Sequence, residues 1–259
     1  MYWWAAMAQS MPVLVAPAAL SATLRAPVVA AAIGRGLERA GVEPLPDLCP
    51  VAGGGRGTIE VLLPRLGGET GDGFALVEDG GTALVELGAS AAETGRRVAD
   101  AVAAGVEVVL LCAGELAGGA GIAAEIDAHG GLRGAALVVL CETPAVAGGE
   151  LATALHARYR ATLVPGSAFV LERLGFDARM RAARAVVVGA PRLERATLAG
   201  SVAGEAAYRA RQAGVPCHAV AARSTIDRFD ARILDVQAIV EATTVAELEA
   251  AGERVAVVL

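Results

Sequence analysis

Short apolar runs, most of them followed by glycine or proline and then by an Ala/Arg/Glu-rich stretch, recur along this chain and constrain its fold more than any other feature. Val13-Leu14-Val15-Ala16 comes before a helical pattern from about Ala26 to Ala40. Val106 to Cys112 leads into Gly118-Gly119-Ala120-Gly121 and a helical pattern through Ala128. Ala185-Val186-Val187-Val188 precedes a loop and a helix through Ala213, Val215 to Val220 follows, and Val255 to Leu259 closes the chain. Strands that are apolar at every position are buried on both faces, and alternation with helices supplies the covering layers. The fold class predicted is α/β: a doubly wound, mostly parallel, Rossmann-like sheet with a smaller inserted α/β lobe. The regular runs place 11–57, 92–128 and 178–259 in the main domain. The less regular stretches 58–91 and 129–177 fall to the smaller lobe, and 1–10 read as an extension. In sheets of this kind ligands bind at the carboxyl ends of the strands, so the strand-to-helix loops are where function is sought.

Composition narrows the choice of partner. Net charge is −6 and only 3% of residues are aromatic; no basic run or aromatic–Arg interleaving offers a surface for a phosphate backbone, which excludes nucleic acid as the expected partner. Mean hydropathy is +0.53, yet most of that signal is alanine, which fills helices without driving membrane insertion. The first 24 residues are uncharged, but Pro12 and Pro17 interrupt the apolar stretch and no basic segment precedes it; a start near Met11 is expected rather than a secretory leader. Cys49, Cys112, Cys141 and Cys217 lie far apart, which suits buried thiols in a reducing cytoplasm and gives no metal spacing. His129, His156 and His218 share no motif, and His218 is expected to be a hydrogen-bonded residue within a strand. All 22 basic residues are arginine, and the chain contains no lysine and no asparagine.

The order of the loop segments resembles the glycerate kinase family. The resemblance runs from Val13-Leu14-Val15-Ala16-Pro17 through Ala32-Ile33-Gly34-Arg35-Gly36-Leu37 and Pro50-Val51-Ala52-Gly53-Gly54-Gly55-Arg56-Gly57-Thr58. It continues through Ala83-Leu84-Val85-Glu86-Leu87, Leu163-Val164-Pro165-Gly166, and Leu171 with Gly175-Phe176-Asp177. The most specific stretch is Gly189-Ala190-Pro191-Arg192-Leu193-Glu194-Arg195-Ala196-Thr197-Leu198-Ala199-Gly200. The resemblance implies a two-lobed α/β enzyme that moves a phosphoryl group from ATP to D-glycerate with Mg²⁺, in a shortened and divergent form.

Phosphoryl transfer needs positive charge on the phosphates, a carboxylate-held metal and a group that accepts the hydroxyl proton. The departures from the family pattern fall on those needs. The family's Asp-Ser-Phe-Lys-Gly loop reads Ala18-Ala19-Leu20-Ser21-Ala22 here, and its Asp-Gly-Gly-Glu-Gly-Thr reads Gly53-Gly54-Gly55-Arg56-Gly57-Thr58. Its Ser-Ala-Thr-Asn-Asp becomes Ala113-Gly114-Glu115-Leu116-Ala117, and its Gly-Glu-Gly-Arg-Leu-Asp becomes Gly189-Ala190-Pro191-Arg192-Leu193-Glu194. The lysine that follows in the family is Ser201.

The candidate residues follow from the same positions. Arg192 and Glu194 are the candidate catalytic pair; the alternative is a surface ion pair worth about 0–1 kcal/mol. Gly118, Gly119 and Gly121 could offer backbone N–H groups to a nucleotide phosphate at a helix N-terminus, with Ser21 and Thr23 beside them as cofactor contacts; a plain tight turn is the alternative. Arg56, Thr58 and Glu86 are the candidate substrate contacts, although Arg is not a neutral exchange for Lys and a solvated loop arginine is the competing reading for Arg56. Glu115 and Glu142 could pair around a metal, but the spacing demands no metal site and none is assigned. The expected function is that of a degenerate glycerate kinase homologue with weak or no kinase activity. The alternatives are an active glycerate or small hydroxy-acid kinase with relocated groups, and a non-catalytic binding or regulatory homologue that forms homodimers. The resemblance implies ATP and Mg²⁺ as cofactors, which the missing charges weaken, with a small hydroxy acid or nucleotide as ligand and no membrane partner.

Overall fold

The computed structural model describes residues 10–114, 119–141, 150–195 and 200–259. It divides into two compact units, one formed by residues up to Val51 and from Leu174 onward, the other by Ala52–Arg173. The second is a single insertion in the first. The mixed α/β class with mostly parallel sheets holds for both.

The first unit is built on β1 (Val13–Pro17), β2 (Asp47–Leu48), β9 (Ala185–Leu193), β10 (Cys217–Ser224) and β11 (Val236–Glu241), in the order β11-β10-β9-β1-β2. Every neighbouring pair is parallel. The chain moves one way from β1 to β2 and the other way from β9 to β11, so the direction of winding reverses between β1 and β9. Helices α1 (Ala26–Arg39) and α10 (Val245–Ala256) cover one face and pack on each other. Val13, Val15, Ile33, Leu37, Val187, Val220, Leu248 and Val255 make that core. The two helices approach closely because Gly36 and Gly252 present no side chain. A Cβ on Gly36 would lie 1.9 Å from the Glu249 carbonyl oxygen, and one on Gly252 would lie 2.3 Å from that of Ile33. The short α7 (Phe176–Arg181) and α8 (Val202–Ala213) complete this unit with α9 (Arg228–Ile233); α8 packs on β9 and β10.

The second unit carries β3 (Glu69–Thr70), β4 (Phe74–Val77), β5 (Thr82–Glu86), β6 (Val108–Gly114), β7 (Ala136–Cys141) and β8 (Thr162–Pro165), side by side in chain order. β3 and β4 are antiparallel additions at one edge, and β5 to β8 are parallel. Successive right-handed crossovers in one direction stack α3 (Ala91–Ala103), α4 (Gly119–Ala128) and α5 (Glu150–Tyr159) on one face, over Val85, Val98, Leu111, Ile126, Val139 and Leu155. α2 (Thr58–Leu66) and α6 (Gly166–Arg173) pack on each other and on the strands.

Two expectations differ from this arrangement. Residues 92–128, expected in the first domain, lie in the second unit because β6 is hydrogen-bonded between β5 and β7. Val255–Leu259, expected as a closing strand, is the end of α10 and an exposed tail. The last strand is β11 instead. It is followed by a capping box in which the Thr244 hydroxyl accepts from the Glu247 N–H while the Glu247 carboxylate accepts from that of Thr244, and this pair starts α10.

Candidate functional site

In the first unit the reversal between β1 and β9 is a topological switch point, where the connections on either side leave in opposite directions and open a crevice at the carboxyl ends. β1 runs into the turn 18–24 beside β9, with the Ala18 N–H donating to the Gly189 carbonyl at 3.0 Å. Ser21 and Thr23 are exposed in this turn. The Leu24 N–H donates to Ser21 Oγ at 3.0 Å, and the two hydroxyls are 3.1 Å apart. These hydroxyls close the turn on itself.

Arg192 lies near the carboxyl end of β9 and is exposed. Across the ladder it is in register with Arg223 of β10, also exposed. Among the described residues neither guanidinium lies in an ion pair, whereas Arg35, Arg39, Arg97, Arg158, Arg173, Arg179 and Arg209 all meet carboxylates. Sequence reasoning missed Arg223. The signal was available: it follows the apolar run of β10 at the position where Arg192 follows that of β9. Glu194 is half-buried just beyond β9. The alternative of an Arg192–Glu194 surface ion pair is not seen among the described residues. Arg195 Nε is 3.9 Å from the Asp230 carboxylate.

The carboxyl end of the second sheet is built differently. The loop 53–57 passes directly over it, main chain against main chain. A Cβ on Gly54, whose φ is +88°, would lie 2.5 Å from Gly166 Cα, and one on Gly55 would lie 3.0 Å from Gly114 Cα. Gly114 ends β6 and Gly166 begins α6. Thr58 is fully buried and its hydroxyl donates to the Gly55 carbonyl at 2.6 Å. Glu86, at the end of β5, accepts from the Ile59 N–H at 3.0 Å. Its carboxylate therefore occupies the anion-favouring N-terminus of α2. Thr58 and Glu86, candidate substrate contacts from the sequence, are both engaged in holding this loop. Arg56 is exposed on it, with no ion-pair partner among the described residues.

Gly119 and Gly121 lie in the first turn of α4. A Cβ on Gly121, which is exposed, would make ordinary contact with Ala91 Cβ at 3.4 Å at the start of α3. Gly118, Glu115 and Glu142 lie outside the described residues.

The thiols are held as inert groups. Burial pushes Cys49 up to about 11 and Cys217 up to about 12, and burial beside the Glu86 charge raises Cys112 further. None of the four is disulfide-bonded and all are buried. His218 is buried in β10 as expected, but among the described residues its Nδ1 has no hydrogen-bond partner. The expected hydrogen-bonded histidine is therefore replaced by one that burial holds neutral, with its pKa lowered.

The carboxylates nearest the candidate loops are dispersed or engaged among the described residues. No three His, Cys, Asp or Glu side chains converge among them, and the carboxylate at the second sheet's ligand end is bound to a helix N-terminus.

Comparison with known proteins agrees with the fold. No curated protein sequence matches the chain. A solved structure from Salmonella typhimurium LT2, of a protein carrying the name glycerate kinase 2, superposes with a TM-score of 0.70 at 19% identity, over 96% of this chain and 98% of that one. The model of the glycerate kinase family matches residues 13–78 and 139–256, leaving out the segment from β5 to the start of β7. With most of its length matched in two segments, the chain belongs to the glycerate kinase family.

Proposed function

We propose that this chain is a degenerate member of its family, in which the family reaction, ATP-dependent phosphorylation of D-glycerate, is weak or absent while binding of an anionic ligand survives. One observation carries this reading: the groups that transfer requires are missing or engaged. The chain has no lysine or asparagine to place on a phosphate or metal, and Glu86 is bound to the N-terminus of α2. Removing one preorganised transition-state contact costs about 10²–10³ in rate, and groups that act together do not multiply fully, so the remaining rate is expected near background. A coupled assay with ATP, D-glycerate and Mg²⁺ tests this. Turnover of about 1–100 s⁻¹, the ordinary range for kinases, overturns it.

A second reading, a working kinase with relocated groups, is favoured by Arg192, which is exposed near the carboxyl end of β9 and lies in no ion pair among the described residues. If Arg192 and Glu194 carry that activity, Arg192→Ala and Glu194→Ala abolish it in folded protein. Unchanged turnover in both removes the assignment. The ligand we assign is a small hydroxy acid or nucleotide. Four buried free thiols support a reducing cytoplasm. Among the described residues no helix is long and apolar enough to cross a membrane.

A further inference from the structure

We infer that Arg192 and Arg223 form a two-guanidinium site for a phosphate group at the carboxyl end of β9 and β10.

The argument begins with register. Residues paired across parallel strands point to the same face, and neighbouring strands are about 4.8 Å apart. Arg223 is the register partner of Arg192, so two cations stand side by side. Val187 and Val220 face the core under α1 and α10, and Ala222 packs against that core as well. Alternation along each strand then puts Arg192 and Arg223 on the opposite face, the one on which α8 packs. α8 follows β9 and is capped at its start by Ser201, whose Oγ accepts from the Gly204 N–H at 3.1 Å.

Like charges directly opposite one another in a sheet are destabilising. In a chain with 28 acidic residues against 22 arginines, carboxylates were available to neutralise the pair. Glu241 of β11 comes nearest in register, opposite Ala221. Its carboxylate instead accepts from the Ser224 backbone N–H at 2.7 Å, and it lies in no ion pair with either arginine. The pair is thus left charged, exposed and adjacent at the carboxyl end of β9 and β10, and of these two strands only β9 borders the switch point. Two planar forks side by side match the oxygens of a dianionic phosphate better than the two oxygens of a carboxylate. The phosphate could belong to a nucleotide or to a small ester. Binding does not depend on transfer, so it stands or falls apart from the kinase reading.

The test is titration calorimetry at low chloride with inorganic phosphate, ATP and D-glycerate, on wild type, Arg192→Gln, Arg223→Gln and Arg254→Gln. The last is a matched charge loss on the exposed end of α10. Expected is saturable binding of phosphate or ATP that each of the first two variants weakens about tenfold or more, as loss of a charge-assisted hydrogen bond would, and that Arg254→Gln leaves unchanged. Preference for ATP over inorganic phosphate identifies a nucleotide as the source of the phosphate. Absent binding, equal binding in Arg192→Gln and Arg223→Gln, or D-glycerate binding lost in these variants while phosphate binding is not, each overturns the inference. Thermal melts without ligand give a second check. Arg223→Gln is expected to hold or raise Tm because it removes a like-charge neighbour, and a drop of several degrees would show that Arg223 is a structural contact. Absence of kinase turnover in wild-type protein that still binds phosphate would count against the working-kinase reading alone.

Discussion

The two sheets present their carboxyl ends in opposite ways. The first winds outward in both directions from β1 and β9, and its carboxyl end carries exposed groups: Ser21 and Thr23 in the turn after β1, and Arg192 and Arg223 on the paired strands β9 and β10. The second winds in one direction from β5 to β8, and its end is closed by glycine backbone laid against glycine backbone, with Glu86 turned onto the N-terminus of α2. A family whose chemistry needs converging charges thus has, in this chain, one end where Arg192 and Arg223 lie in no ion pair among the described residues and another whose carboxylate is bound by its own main chain. Topology alone decides where a crevice can open; the side chains decide whether anything is done there.

The contrast can be broken most forcefully at the closed end. Gly54→Ala adds a methyl 2.5 Å from Gly166 Cα at a residue with φ of +88°. Overpacking and left-handed strain together are expected to cost about 3 kcal/mol, read as a lower urea midpoint. A cost below about 0.5 kcal/mol would mean that the loop does not rest on α6. Next is Glu86→Gln, which leaves an acceptor for the Ile59 N–H but removes the charge from the helix terminus. The expected loss is about 1 kcal/mol, and no loss would free Glu86 for a ligand role.

An acid titration separates the units by a smaller effect. His218 belongs to the first sheet, and burial depresses its folded pKa below the unfolded value of about 6.5. Its neutral form therefore contributes stability that is complete above about 6.5 and is lost as pH falls toward the depressed folded value, where the unfolded chain binds the proton first. A pH series of denaturation midpoints should show this slope, and His218→Leu should flatten it; an identical slope in the variant would assign the acid sensitivity elsewhere. The smallest expected effect is at the open end. Arg192→Gln without ligand should change stability by less than about 0.5 kcal/mol, as exposed residues without partners do, and a larger loss would mean that this end is not free.

Much of this was legible beforehand. The runs at Val13, Val106, Ala185 and Val215 became β1, β6, β9 and β10, because apolar segments bounded by glycine and proline have few other fates. Family membership was legible from loop order. The domain boundary was not: a strand buried on both faces carries no mark of which sheet it will join, so β6 read like a neighbour of β1. The end of the chain misled for a similar reason. Val255 is apolar because it faces α1, and without the capping box at Thr244 the run after it looks like a strand. At the candidate site, residue types were readable but commitments were not. Sequence alone could not show that the Thr58 hydroxyl and the Glu86 carboxylate would be used within their own unit, or that Arg223 would stand beside Arg192.

The insertion of one unit inside the other also sets an order of events. β1 can pair with β2 as soon as both are made, but Val13 pairs with Ala185 as well, and that pairing waits while the whole of Ala52–Arg173 is made. The inserted unit pairs each strand with a near neighbour in sequence, closes short loops at low entropic cost and can fold as it emerges. The gap in sequence between Val51 and Leu174 is then expected to be filled by a folded unit rather than by loose chain when β9 is made, which shortens the search that joins β9 to β1.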